Sequence, residues 1–284
     1  MIGIFDSGAG GLSVWKELLA VAPGERYFYI SDNANCPYGP KSKEFVLGRA
    51  TAISDYLISQ GAEIIVVACN TATAAAIDSL RSRYDIPFVG MEPAVKPAAI
   101  ETKSGVIGVL ATRGTFNGRL YINTSEKFAR SRDVKIIETV GDGLVELVEE
   151  GRTDTPEAEA LVRKYIEPMV EAGADHIVLG CTHYPFLSGL IEKIAGDSVK
   201  ILNPAPAVAA HAIKVLQDKR AKSEKSNRNV TISDSADIIA TTGTNIGVLG
   251  SIAESVTAGL RGSGLLKSTG VESNRRKKYL TLSI

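Results

Sequence analysis

One segment of this chain occurs twice. Gly61-Ala62-Glu63-Ile64-Ile65-Val66-Val67-Ala68-Cys69-Asn70-Thr71 lies over Gly173-Ala174-Asp175-His176-Ile177-Val178-Leu179-Gly180-Cys181-Thr182-His183, at a constant offset of 112 residues. Each copy runs Gly-Ala, an acid, an apolar strand, a small residue, Cys and a polar residue. Such a duplication calls for two related α/β units. In each, the Cys is expected to leave the carboxyl end of a strand where the next helix begins. Open α/β sheets bind ligands at that edge. The amides of a helix start can hold a carboxylate, and the same positive end is expected to lower the pKa of a nearby thiol.

The rest of the chain fits this frame. Ile2–Phe5, Tyr27–Ile30, Ile64–Ala68, Pro87–Gly90, Val106–Leu110, Val134–Thr139, His176–Gly180, Val199–Leu202 and Ile238–Thr242 read as strands, mostly short apolar runs, several bracketed by Gly or a small polar residue. Between them lie helical patterns. Val46, Ala50, Ile53 and Leu57 give the stretch Lys43–Gln60 one apolar face. Thr155-Pro156-Glu157 supplies a capping residue followed by Pro in the first turn. Repeated β-α order implies parallel sheets with helices on both faces, and nine strands are many for one compact sheet. The expected fold is therefore α/β, with two pseudo-symmetric doubly wound parallel-sheet domains and the active site in the cleft between them. Residues 1–92 completed by 207–255 are expected to form one lobe, 93–206 the other, and 256–284 a C-terminal extension. The polar run from Gln217 to Asn229 reads as a solvated loop, and Arg275-Arg276-Lys277-Lys278 as an exposed, mobile terminus.

Composition narrows the function. Lys and Arg together number 32 and balance 32 Asp and Glu, which argues against a nucleic-acid surface built from excess basic residues. At 284 residues the chain can bury a core without disulfides or a structural metal. Its three cysteines, Cys36, Cys69 and Cys181, form no CxxC pair and have no His cluster beside them, so neither a disulfide scaffold nor a zinc site of ordinary spacing is expected. No apolar run is long enough to span a membrane. The opening Met1-Ile2-Gly3-Ile4-Phe5-Asp6 lacks the basic and apolar regions of a signal peptide, and the expected compartment is the reducing cytoplasm.

A lone Cys at a strand end is more often a small buried hydrophobe than a nucleophile. Two at matched positions of a duplicated segment favour chemistry instead. Facing domains would put one thiol on each side of a shared cleft. Racemisation of a chiral C–H centre needs that arrangement, with a base on one face of the carbon and an acid on the other. A hydrolase needs one nucleophile and an oxyanion site, and has no use for mirrored thiols.

These residues, with several others, resemble the glutamate racemases of the cofactor-independent aspartate/glutamate racemase family. The matching segments are Phe5-Asp6-Ser7-Gly8 with Gly10-Gly11-Leu12-Ser13, Pro37-Tyr38-Gly39 with Lys41-Ser42, Ala68-Cys69-Asn70-Thr71-Ala72, Ile107-Gly108-Val109-Leu110-Ala111-Thr112, Leu179-Gly180-Cys181-Thr182-His183-Tyr184-Pro185 and, more weakly, Thr241-Thr242-Gly243. The resemblance covers roughly positions 1–255 in family order. It implies interconversion of L- and D-glutamate without cofactor or metal, with D-glutamate feeding bacterial peptidoglycan. It also implies that Cys69 and Cys181 are the acid/base thiols, the first taking the proton from D-glutamate and the second from L-glutamate. Asp6 then stands near the first thiol and His183 near the second. Glu149 corresponds to a further family carboxylate through Leu147-Val148-Glu149 alone. Gly141-Asp142-Gly143-Leu144-Val145-Glu146 stands where the family carries a Cys-Pro-x-Phe-Val-Pro-like run, which leaves an exposed helix acid as the other reading of Glu149. The implied substrate contacts are Asp6, Ser7, Tyr38, Gly39, Asn70, Thr71, Thr112, Thr182 and His183, whose hydroxyls, amides and charges suit two carboxylates and an ammonium. Cys36 reads as incidental, and His176 and His211 as structural. The expected partner is a small-molecule substrate, glutamate, with no nucleic acid and no membrane; a homodimer is one assembly the resemblance allows.

Rival readings remain. Gly8-Ala9-Gly10-Gly11 after a strand could be a nucleotide-binding turn, but Ser13 stands where the full fingerprint wants Gly. In the racemase reading the same glycines let the backbone approach substrate and start a helix. Aspartate or hydantoin racemase shares the fold and thiol pair. A Cys181–His183 thiol hydrolase predicts that Cys69 is dispensable, and a non-catalytic two-lobed binding protein gains nothing from paired thiols.

Overall fold

Every residue of the first strand, Ile2–Asp6, is buried, and the first sheet is laid down on either side of it. The structure, a computed structural model, describes residues 1–224, 236–244, 246–262 and 277–284. In chain order the elements are β1 (Ile2–Asp6), α1 (Leu12–Val21), β2 (Tyr27–Ser31), α2 (Lys43–Ser59), β3 (Ile64–Val67), α3 (Asn70–Arg83), β4 (Phe88–Gly90) and α4 (Val95–Glu101). Next come β5 (Val106–Ala111), α5 (Arg113–Phe116), α6 (Arg119–Phe128), β6 (Lys135–Val140), α7 (Leu144–Glu149), α8 (Pro156–Glu171), β7 (His176–Gly180), α9 (Ser188–Ala195) and β8 (Lys200–Leu202). The chain continues with α10 (Ala205–Glu224), β9 (Asp237–Thr241), α11 (Ile246–Gly262) and β10 (Lys277–Thr281).

Two sheets result, a six-stranded one in the order β10-β9-β2-β1-β3-β4 and a four-stranded one in the order β6-β5-β7-β8. Every pairing in both is parallel. Strand side chains alternate faces. Ile2, Ile4, Tyr27, Tyr29, Ile64 and Val66 pack with residues of α1, α10 and α11. Phe5, Phe28, Ile30, Ile65 and Val67 pack with α2 and α3 on the other face. The second sheet is covered likewise, by α7, α8 and α9 on one face and α4 and α6 on the other. This is the doubly wound α/β architecture that the β-α order implied.

The duplicated segment is duplicated in three dimensions. Gly61 and Gly173 both take positive φ, +86° and +89°. Gly61 N–H donates to Ile58 O and Ala62 N–H to Leu57 O; Gly173 N–H donates to Val170 O and Ala174 N–H to Met169 O. Both are the paired C-terminal bonds of a helix that ends on a left-handed residue. Each turn feeds a strand next to a switch point: β1 lies between β2 and β3, and β5 between β6 and β7. Ligands of open α/β sheets sit at such points, beyond the strand carboxyl ends.

Four expectations need correction. The polar run from Gln217 continues α10 as far as Glu224, because Leu216 is buried and Arg220 pairs with both Glu25 and Glu63; its remainder to Asn229 lies outside the described residues. Lys277 and Lys278 are not a mobile terminus but open a tenth strand, paired with β9, with Lys277 held 2.9 Å from Glu254. Arg275 and Arg276 lie outside the described residues. Positions 256–284, set apart as an extension, thus contribute the end of α11 and strand β10 to the first sheet. Finally, Cys69 does cap α3, whereas Cys181 is followed by a turn and a short 3-10 segment, Tyr184–Leu187, before α9 begins. Pro185 accounts for the difference, since it has no N–H to donate into a helix and restricts the residue before it.

Candidate active site

The carboxyl ends of β1, β3, β5 and β7 converge on one narrow cavity of about 10 Å³, room for roughly one water. Ser7, Tyr38, Gly39, Cys69, Asn70, Thr71, Thr112, Cys181, Thr182 and His183 line it. All of these were expected from sequence. Asp6 and Glu149 do not line the cavity; they stand behind the residues that do.

Around the first thiol, Cys69 Sγ accepts from Ala72 N–H at 3.4 Å and lies 3.8 Å from Ser7 Oγ. Asp6 is fully buried, and its Oδ2 accepts from Gly11 N–H at 2.7 Å and Thr182 Oγ1 at 3.3 Å. Burial pushes the Asp6 carboxyl above the usual carboxylate range, although His183 and Cys69 oppose it. The expected lowering of the thiol is reversed at Cys69. Burial pushes this thiol well up, and the adjacent Asp6 carboxylate adds to that, outweighing the single helix-start amide.

Around the second thiol, His183 Nδ1 lies 3.7 Å from Cys181 Sγ, and His183 Nε2 lies 2.6 Å from Glu149 Oε1. Burial alone would lower His183, but Cys181, Cys36 and Glu149 together hold its pKa well above the usual imidazole value. Burial would raise Glu149, yet hydrogen bonds from His183, Ala9 N–H and Asn33 hold it below the usual carboxylate range. Both directions place the proton on His183. Its Nε2–H then donates to Glu149, so Gly10 N–H, 3.3 Å from the same nitrogen, cannot also donate to it. Glu149 ends α7 with its side chain 14% exposed, so the exposed-acid reading fails. Its oxygens accept from Ala9 N–H at 2.6 Å and Asn33 Nδ2 at 2.7 Å.

The early glycines make room for these side chains. A Cβ on Gly8 would lie 2.0 Å from Glu149 Oε1, and one on Gly10 would lie 2.3 Å from His183 Nδ1. They admit the protein's own catalytic-type groups; the nucleotide-turn reading has no support in this geometry.

Polar groups on the cavity wall are left for a ligand. Asn70 is buried with both its amide nitrogen and oxygen lacking a partner, which costs free energy unless something polar binds there. Thr71 Oγ1 and Thr112 Oγ1 meet at 2.8 Å between the two sheets. Tyr38 is held by a 2.5 Å hydrogen bond from its hydroxyl to Asp32 Oδ2. Arg49 grips Asp32 through both carboxylate oxygens, at 2.8 and 2.9 Å, and Thr242 donates to it at 2.7 Å.

The sequence profile of the Asp/Glu/Hydantoin racemase family matches residues 2–212. The chain belongs to that family. A glutamate racemase from Roseiflexus sp. (strain RS-1) is 48% identical over 243 residues, 85% of this chain and 87% of the relative. The crystal structure of Escherichia coli glutamate racemase in complex with L-glutamate and the activator UDP-MurNAc-ala is 29% identical and superposes with a TM-score of 0.78, covering 90% of this chain and 94% of that one. The Francisella tularensis subsp. tularensis SCHU S4 glutamate racemase, in complex with D-glutamate, is 25% identical with a TM-score of 0.75, covering 99% and 97%.

In this family member the sequence missed several residues at the site. Val145 and Pro37 line the cavity, Asp32 and Arg49 hold Tyr38, Asn33 holds Glu149, and Cys36 is a neighbour of His183. Pro37 and Cys36 were flagged by their place next to Tyr38-Gly39. Val145, on the first turn of a six-residue helix, lay in the run read as a departure from the family pattern and was given no role.

Proposed function

We propose that this chain is a glutamate racemase that works by two-thiol proton transfer at the α-carbon. The observation that carries this reading is that two reduced cysteines, one beyond β3 in the first sheet and one beyond β7 in the second, line one small cavity. Relatives that share the family and most of the chain's length bear the name glutamate racemase.

In the direction from D-glutamate, Cys69 takes the α-hydrogen as a proton while Cys181 gives its thiol proton to the opposite face; from L-glutamate the roles reverse. Because burial keeps Cys69 protonated at rest, it needs a base. Asp6, whose own affinity for protons is raised, accepts the Cys69 proton and so prepares the thiolate. His183, anchored by Glu149, stabilises charge at Cys181 through its Nδ1–H. Asn70 supplies one donor and one acceptor, fitting the α-carboxylate and α-ammonium of an amino acid, and Thr71, Thr112 and Thr182 hydroxyls with Ser7 complete the polar wall. D-glutamate made in the cytoplasm would supply peptidoglycan synthesis. The same reading assigns residues 1–92 and 207–255, joined by the end of α11 and strand β10, to one lobe and 93–206 to the other, supported by the return of β9 to pair with β2 and of β10 to pair with β9.

The test is solvent exchange. In deuterium oxide each enantiomer should acquire deuterium at the α-carbon mainly on conversion to the other, because the incoming proton comes from the opposite thiol. Equal uptake into recovered starting material during initial turnover would sink the two-base reading, and a covalent intermediate with a dispensable Cys69 would point to a thiol hydrolase.

A further inference from the structure

Cys36 is absent from the reaction as derived, yet it lies in a cluster with two side chains that serve it. One donor atom each from Cys36, Glu149 and His183 fall within 4.8 Å of one another. Sequence spacing gave no hint of this, since the three are scattered along the chain and only the meeting of the two sheets assembles them. We propose that these three residues form a Zn²⁺ site whose occupation shuts off the racemase.

Thiolate, imidazole and carboxylate make the mixed donor set that Zn²⁺ accepts, with three protein ligands and a fourth position for water. Mg²⁺ and Ca²⁺ prefer oxygen donors alone. One thiolate and one carboxylate also neutralise a divalent charge. The ligands are held in place by neighbours, as metal ligands generally are. Ala9 N–H and Asn33 Nδ2 fix the Glu149 oxygens, and Cys181 Sγ stands at the far nitrogen of His183. Gly8 keeps the approach open, for a Cβ there would lie 2.9 Å from Cys36 Sγ as well as against Glu149.

The ion would take the place of the proton between His183 Nε2 and Glu149 Oε1. That contact would open from 2.6 Å to about 3.3 Å, the edge of a tetrahedron with bonds of roughly 2.0–2.1 Å. On binding, the Cys36 thiol proton and the proton of the His183–Glu149 pair pass to solvent, and no other bond changes. The loss of turnover rests on the reading that His183 serves Cys181; metal binding itself does not.

The experiment measures Zn²⁺ affinity by competition with a chromophoric chelator, on the whole chain as wild type, Cys36→Ala and Cys36→Ser, with Mg²⁺ as control. The expected result is one Zn²⁺ per chain, weakened about 100-fold or more in both variants, since loss of an outer-shell partner alone costs up to that much. Co²⁺ should give a thiolate-to-metal charge-transfer band that both variants lack. Each metal-free variant should keep a turnover that added Zn²⁺ does not lower, while a chelator restores the inhibited wild type. Absence of Zn²⁺ binding to wild type would overturn the proposal. So would equal affinity in the variants, which would place the metal on Cys69 and Cys181. Binding through Cys36 without loss of turnover would leave the metal site standing and remove His183 from the reaction.

Discussion

Cys69 and Cys181 sit in unlike surroundings despite their matched positions. The first is crowded by an anion and the second faces a cation, so each needs a different helper to change charge. Replacing either by Ala should lower racemisation by about 10²–10⁴-fold or more in both directions, the usual worth of an acid/base group. Circular dichroism of D- and L-glutamate checks this, and near-full turnover in Cys69→Ala would refute the assignment. Glu149→Gln removes one partner of a largely buried pair and should cost about 3 kcal/mol near neutral pH. Glu149 is held below its unfolded pKa of about 4.3, so its contribution is present above that value and lost as pH falls through the folded one. His183 is held above its unfolded value of about 6.5, so its contribution is complete below that and lost as pH rises through the folded one. Urea midpoints of wild type and Glu149→Gln should therefore differ most between about pH 5 and 6.5 and converge in acid and in alkali.

Among the elements, the turns separate stability from function. Gly61 and Gly173 end α2 and α8 in the same left-handed conformation, and a Cβ on either meets nothing within 4 Å. Their Ala variants should each lose roughly 1–2 kcal/mol from backbone conformation alone, seen as matched drops in denaturant midpoint with kcat unchanged. Gly10→Ala should behave oppositely. Its backbone is already helical in sign, but the new Cβ would stand 2.3 Å from His183 Nδ1, so turnover should fall sharply as the imidazole is displaced. A Gly10→Ala enzyme with wild-type kcat would show that His183 has room to shift without loss.

For the whole molecule, the candidate site exists only where the two sheets meet. Thr71 from the end of β3 and Thr112 from the end of β5 bridge them through a 2.8 Å hydroxyl contact. Ser13 Oγ donates across the same gap to Thr182 O at 2.9 Å. Thr112→Val keeps the shape and deletes the hydroxyl. Losing about 1–1.5 kcal/mol of hydrogen bonding should lower kcat/KM about tenfold for both enantiomers alike, mainly through KM. Steady-state kinetics in each direction checks it; because a racemisation has an equilibrium constant of unity, kcat/KM must fall equally for both enantiomers, and a fall carried by kcat with KM unchanged would mean that Thr112 serves the proton transfer and not ligand binding.

What the sequence determined by itself is what local chemistry determines. Strands such as Ile64–Val67 and His176–Gly180, the capped start of α8 at Thr155, and the Gly-to-Cys repeat follow from residue periodicity and turn preferences within a dozen positions. The repeat also disclosed which strand ends would face each other, and so brought Cys69 and Cys181 to one cavity. The tertiary structure decided the rest. Glu149 reaches Ala9 N–H across 140 residues and His183 across 34, and no spacing rule connects them. Cys36 gains neighbours, and Cys69 a raised pKa, only through packing and burial, which a linear pattern does not contain. Charged runs misled for the same reason: Arg220 at the polar end of α10 and Lys277 of β10 are held by ion pairs to Glu25, Glu63 and Glu254, partners that folding alone supplies.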